Sequence, residues 1–99
     1  MIRHIVLFAL KGDDAERAAA AEQLRAALEP LVGTVPGLRS LRVDADGSGI
    51  SGHWDAALVS EHESWDALSA YQSHPDHQRV VTQIVPVVVA DRAAVDYEL

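Results

Sequence analysis

The segment IRHIVLFAL, residues 2–10, has no polar face to give to water. As a strand it places Ile2, His4, Val6, Phe8 and Leu10 on one side and Arg3, Ile5, Leu7 and Ala9 on the other, and both sides are mostly apolar. A strand of this kind needs two covers. The rest of the chain can supply one of them.

Lys11-Gly12-Asp13-Asp14 ends that strand as a turn, and either aspartate suits the N-cap of a helix running to about Leu31. Ala20, Leu24, Ala27, Leu28 and Leu31 recur at three- and four-residue spacing, which gives one apolar stripe. Gly33-Thr34-Val35-Pro36-Gly37 breaks the pattern before a second strand, LRSLRVDA, and its turn DGSG. HWDAALVSEH reads as a third strand, paired with the second around residues 46–51. Ser64 can cap a short helix bearing Trp65, Leu68 and Tyr71, with Trp65 expected in the core or in a pocket wall.

Pro75 fits the first turn of a further helix, where a missing amide hydrogen leaves nothing unpaired, with Ser73 or His74 as its cap. That helix carries Val80, Val81, Ile84 and Val85 up to Pro86, and a closing strand is expected over about 92–98. The order strand, helix, strand, strand, helix pair, strand fits an α+β ferredoxin-like fold over residues 1–99. It is a four-stranded antiparallel sheet with helices on one face. The other face of the first strand stays bare. Burying about 400 Å² of apolar surface is worth roughly 10 kcal/mol, so a second copy related by a two-fold axis is the expected cover, giving a homodimer.

Fifteen acidic residues against eight basic ones give a net charge of −7, and no Lys or Arg cluster could neutralise a phosphate backbone, so nucleic acid is not an expected partner. The longest apolar run, residues 84–90, contains Pro86 and falls far short of the roughly 20 residues that span a bilayer, so no membrane partner is expected. The opening MIRHIVLF lacks a small-residue cleavage site and reads as a strand. The absence of cysteine removes disulfides and thiolate chemistry and suits the cytoplasm. No G-x-S-x-G, P-loop or dinucleotide fingerprint occurs, so hydrolase, kinase and dehydrogenase readings have no support.

Four strings, MIRHIVLF, VPGLRSLRV, DAALVSEHESWDALSAYQSHPDHQRVV and AVDYEL, together resemble the stress-responsive α/β-barrel domain family over nearly the whole chain. The resemblance implies a dimeric α/β barrel made from two ferredoxin-like protomers. It is also similar in chain order to a plant member, olivetolic acid cyclase, which closes a linear polyketide by an intramolecular aldol reaction without a cofactor. That likeness implies functional roles for Tyr71, His77 and His4; the cyclase's strand-three histidine falls on Ala56 here.

His77 stands near the third position of the helix opened by Pro75, where the positive helix end disfavours an imidazolium, so a neutral ring can act as general base on an acidic carbon. Tyr71 can then donate to the enolate or alkoxide oxygen. His4 shares a strand face with Val6 and Phe8 and suits the polar end of an apolar pocket. The expected ligand is a hydrophobic, carbonyl-containing small molecule that is cyclised or isomerised, with no cofactor. The plainer reading makes His77 a helix-junction residue and Tyr71 a core aromatic with its hydroxyl at the surface. Under it the chain is a noncatalytic stress or assembly protein, and a cofactor-free monooxygenase is a third possibility.

His74 and His77 could share one side of a helical turn, but a transition-metal site generally needs three or four ligands, and His74 reads more simply as a cap. No metal is therefore assigned. His53 and His62 flank the third strand and are expected to be exposed, while Trp54 is expected to face the barrel interior or the partner. Asp55 and Asp96 are expected at the dimer seam, near Arg42 or Arg92.

Overall fold

The computed structural model describes residues 1–99. Strand β1 (Ile2–Leu10) leads into α1 (Asp14–Leu28), a 3₁₀ turn (Glu29–Gly33), and the hairpin of β2 (Leu38–Ala45) and β3 (Ala56–His62). Helices α2 (Trp65–Ser73), α3 (Pro75–Gln83) and the single turn α4 (Val85–Val88) precede β4 (Val89–Glu98). The strands form one antiparallel sheet in the order β2-β3-β1-β4, the ferredoxin-like arrangement expected.

The helix starts follow local chemistry. Asp13 accepts from the Glu16 amide at 2.8 Å while the Glu16 carboxylate accepts from the Asp13 amide at 3.1 Å, a reciprocal capping box at the start of α1. The Ser64 hydroxyl accepts from the Ala67 amide at 3.1 Å to open α2. His74 caps α3 by accepting the Asp76 amide on Nδ1 at 3.1 Å, with Pro75 in the first turn. Gly37 stands at φ +82°, and a Cβ there would lie 2.7 Å from the Cβ of Ala67, so a bare backbone lets the start of β2 approach α2.

Several boundaries differ from the sequence expectation. Helix α1 stops at Leu28, because Pro30 has no amide hydrogen for the α ladder, and the chain tightens into the 3₁₀ turn. Pro86 does not end the helical region: α3 closes at Gln83 and a new turn places Pro86 in its own first turn. Strand β3 begins at Ala56, not near His53, and β4 begins at Val89, ahead of Arg92. Trp65 is 49% exposed because it is the first residue of α2, ahead of the buried Leu68 and Tyr71. Trp54 lies before β3 and is 37% exposed.

Burial alternates along β1 as the two-faced pattern requires. Ile2, His4, Val6, Phe8 and Leu10 are buried toward the helices, against Leu24, Leu28, Leu68 and Val80 among others, while Arg3, Ile5, Leu7 and Ala9 are only half-buried. On that second face Ile5 stands between Val59 of β3 and Val95 of β4, and no helix covers them. No helix is long and apolar enough to cross a membrane.

Candidate functional site

Strand register assembles the polar end of the helix-covered face. His4 pairs with Ser60 on β3 and with Asp96 on β4, so these three side chains share one row; Val6 and Ala94 occupy the next row and Phe8 and Arg92 the one beyond. His62 sits two residues past Ser60 on the same face of β3, opposite Ile2. From above, α2 contributes Tyr71 and the first turn of α3 contributes His77.

The rings are in mutual contact. Tyr71 lies 4.3 Å from His77 and 4.9 Å from His62, centroid to centroid, and 6.2 Å from His4; His4 and His62 are also 6.2 Å apart. Tyr71, His77 and His4, singled out from sequence, are thus one cluster. His62 joins them. It is fully buried and not at the surface, because β3 runs through to His62 and its pleat points that side chain inward with Leu58 and Ser60. The alternation of Ala56, Leu58, Ser60 and His62 was the sequence signal for it.

Hydrogen bonds and burial set the state of each side chain. A carboxylate can only accept, so Nδ1 of His4 donates to Asp96, which fixes the orientation of the His4 ring. His77 Nδ1 lies 3.0 Å from the Gln72 carbonyl oxygen and donates to it, leaving Nε2 as a base. Burial lowers the pKa of His77, with the charges of His4, Arg92 and His74 acting in the same direction against the Gln72 hydrogen bond. For His62 burial is also the leading cause, with His4 second, and its pKa falls from 6.5 to about 4. The Ser60 hydroxyl lies 2.9 Å from Nε2 of His62, while Nδ1 has no partner.

Tyr71 is fully buried and its hydroxyl has no hydrogen-bond partner, so the sequence alternative of a surface hydroxyl does not hold. Burial raises its pKa and keeps it an O–H donor. A cavity of about 340 Å³ adjoins the cluster, walled at its polar end by His4, Tyr71 and His77 and elsewhere by Val6, Phe8 and Val80.

Other expected residues lie elsewhere. Asp55 accepts the Leu10 amide at 2.7 Å and stands 3.7 Å from Arg17, so it ties off the end of β1. Asp96 faces His4 on the helix side, and Arg42 pairs with Asp44 at 3.1 Å. His53 is exposed, with Nδ1 3.0 Å from the Ser48 hydroxyl. No three His, Asp or Glu side chains converge as a metal site.

This sheet and helix arrangement defines a ferredoxin-like α+β protein, and solved structures match it closely. A dimeric protein of unknown function and ferredoxin-like fold from Bacteroides fragilis has a TM-score of 0.88 and 29% identity, covering 99% of this chain and 95% of that one. A dimeric ferredoxin-like protein from Thermobifida fusca has a TM-score of 0.81 and 36% identity, covering 99% and 90%. The fold is also that of a hydroxynitrile lyase from Passiflora edulis, at 15% identity and a TM-score of 0.78 over 99% and 92% of the two chains. No curated protein matches the chain. The family model for the stress responsive A/B barrel domain matches residues 2–99, and the chain belongs to that family.

Proposed function

We propose that the chain forms a homodimeric α/β barrel in which each protomer binds a hydrophobic, carbonyl-containing small molecule beside Tyr71 and His77 and moves a proton on it without a cofactor. The observation that carries this reading is the buried, unpartnered hydroxyl of Tyr71 next to the neutral imidazole of His77. An orphaned buried donor costs about 1–3 kcal/mol. An oxyanion arriving in the cavity would relieve that cost.

In the proposed reaction Nε2 of His77 takes a proton from the carbon beside the carbonyl, the C–H electron pair forms the C=C bond of the enolate, and the carbonyl π pair moves onto oxygen. Tyr71 donates to that oxygen. His62, fully buried behind Tyr71 and tied to the Ser60 hydroxyl, backs the Tyr71 ring from outside the cavity. His4, oriented by Asp96, completes the same polar end of the cavity beside Tyr71. Attack of the enolate carbon on a second carbonyl closes a ring and leaves an alkoxide there, which takes the proton back from Nε2 of His77; return of that proton to another carbon isomerises the substrate.

The cavity of about 340 Å³ supports a ligand over a role in assembly alone, which needs no space there. The bare face of Ile5, Leu7, Val59 and Val95 supports the dimer, as do the dimeric relatives from B. fragilis and T. fusca. His77→Ala tests the chemistry: proton exchange at a ketone α-carbon should fall to the background rate while the dimer persists. Full activity in that variant removes His77 from the role of base.

A further inference from the structure

Arg92 is the arginine this acidic chain leaves unpaired. Every other arginine has a carboxylate within ion-pair reach: Arg3 with Glu61, Arg17 with Asp14, Arg25 with Glu22, Arg39 with Glu63, Arg42 with Asp44 and Arg79 with Asp76. Lys11 donates to the Pro86 carbonyl oxygen at 2.9 Å. In a chain with fifteen acidic residues against eight basic ones, a guanidinium free of any carboxylate is the exception. This one lines the same cavity as His4, Tyr71 and His77.

The strand rows fix where it stands. Asp96 lies beside His4, Ala94 beside Val6 and Arg92 beside Phe8. The histidine row and the arginine row are four residues apart, roughly 13 Å at about 3.3 Å per residue, with an apolar row between them. The long arginine side chain shortens that span from its own end. The cavity therefore has a proton-handling end, an apolar middle and a cationic end.

We infer that Arg92 is an anion anchor and that the ligand carries a carboxylate several bonds from its reacting carbonyl. This deepens the proposed function and rests on it. A guanidinium matches a carboxylate bidentately and gives direction as well as affinity. It would hold the charged tail of a keto acid at the mouth while the ketone lies against Tyr71 and His77. The negative net charge of the chain would repel such a ligand from most of the surface, which makes the one guanidinium without a carboxylate a local attractor.

A matched pair of probes tests this: benzoylbutyrate, a phenyl ketone with a terminal carboxylate, and its methyl ester, titrated into the full-length chain by NMR. The acid should bind about fivefold more tightly than the ester, a preference that weakens with salt. Arg92→Leu should abolish the preference while leaving ester affinity unchanged, which also shows that the variant is folded; Arg92→Lys should keep part of it. An acid preference that survives Arg92→Leu, or no preference in the parent chain, overturns the anchor and leaves the ketone pocket standing. Failure of both probes to bind overturns the anchor together with the pocket reading.

Discussion

Asp96 accepts a hydrogen bond from Nδ1 of His4 across the β1–β4 pairing, and the two residues are direct register partners although 92 positions separate them in the chain. The pairing places a proton on Nδ1 of His4 and orients the ring. Asp96→Asn replaces an obligate acceptor with a side chain that can also donate, so the proton on Nδ1 is no longer fixed. Proton exchange on a bound ketone should fall by roughly an order of magnitude or more, with ligand affinity little changed. Equal losses in affinity and rate would mean that Asp96 only shapes the pocket.

Tyr71→Phe removes a hydroxyl that has no partner in the folded chain. Stability to denaturant should stay constant or rise by about 1 kcal/mol, because no hydrogen bond is lost. Exchange activity should drop roughly a hundredfold, the usual consequence of deleting an oxyanion donor. A variant destabilised by several kcal/mol would show that the hydroxyl is bonded after all.

His62 sets an acid limb on stability. Its folded pKa of about 4 lies below the 6.5 of an unperturbed imidazole, so between these values the unfolded chain binds a proton that the folded chain refuses. Its contribution is intact above about pH 6.5 and is lost as pH falls toward 4, by about 3 kcal/mol in total. His77, also lowered by burial, adds a loss of the same sign. In His62→Phe the slope of unfolding free energy against pH over this interval should flatten; an unchanged slope would assign it to other groups.

The dimer prediction concerns the opposite face of the sheet. Val59 is 38% exposed and Val95 56% exposed on either side of Ile5. Val59→Glu or Val95→Glu places a charge where two apolar sheets would meet. Sedimentation should show twice 10.7 kDa for the parent chain and 10.7 kDa for either variant, with helical content retained. A folded parent that sediments as a monomer contradicts the barrel.

Much of this was legible in the residues because the signals were local. The two apolar faces of β1, the aspartate cap before α1, Ser64 before α2 and His74-Pro75 before α3 each express chemistry within a few positions. Tyr71 and His77 were legible as a pair for the same reason. What depended on register was not. No local feature of the sequence tells that Asp96 lies beside His4 and not at the seam. A third strand beginning near His53 makes His62 a flank, whereas the strand that begins at Ala56 turns His62 inward. Arg92 stands at the edge of the expected strand, and its lack of a carboxylate emerges only when every other arginine has been paired.

Deuterium uptake at the α-carbon of butyrophenone in heavy water, followed by NMR near neutral pH, bears most directly on the chemistry proposed for Tyr71 and His77. The parent chain should accelerate uptake above the buffer rate, and His77→Ala and Tyr71→Phe should each remove most of that acceleration. Uptake at the buffer rate with a ketone demonstrably bound in the cavity, or acceleration undiminished in both variants, would contradict it.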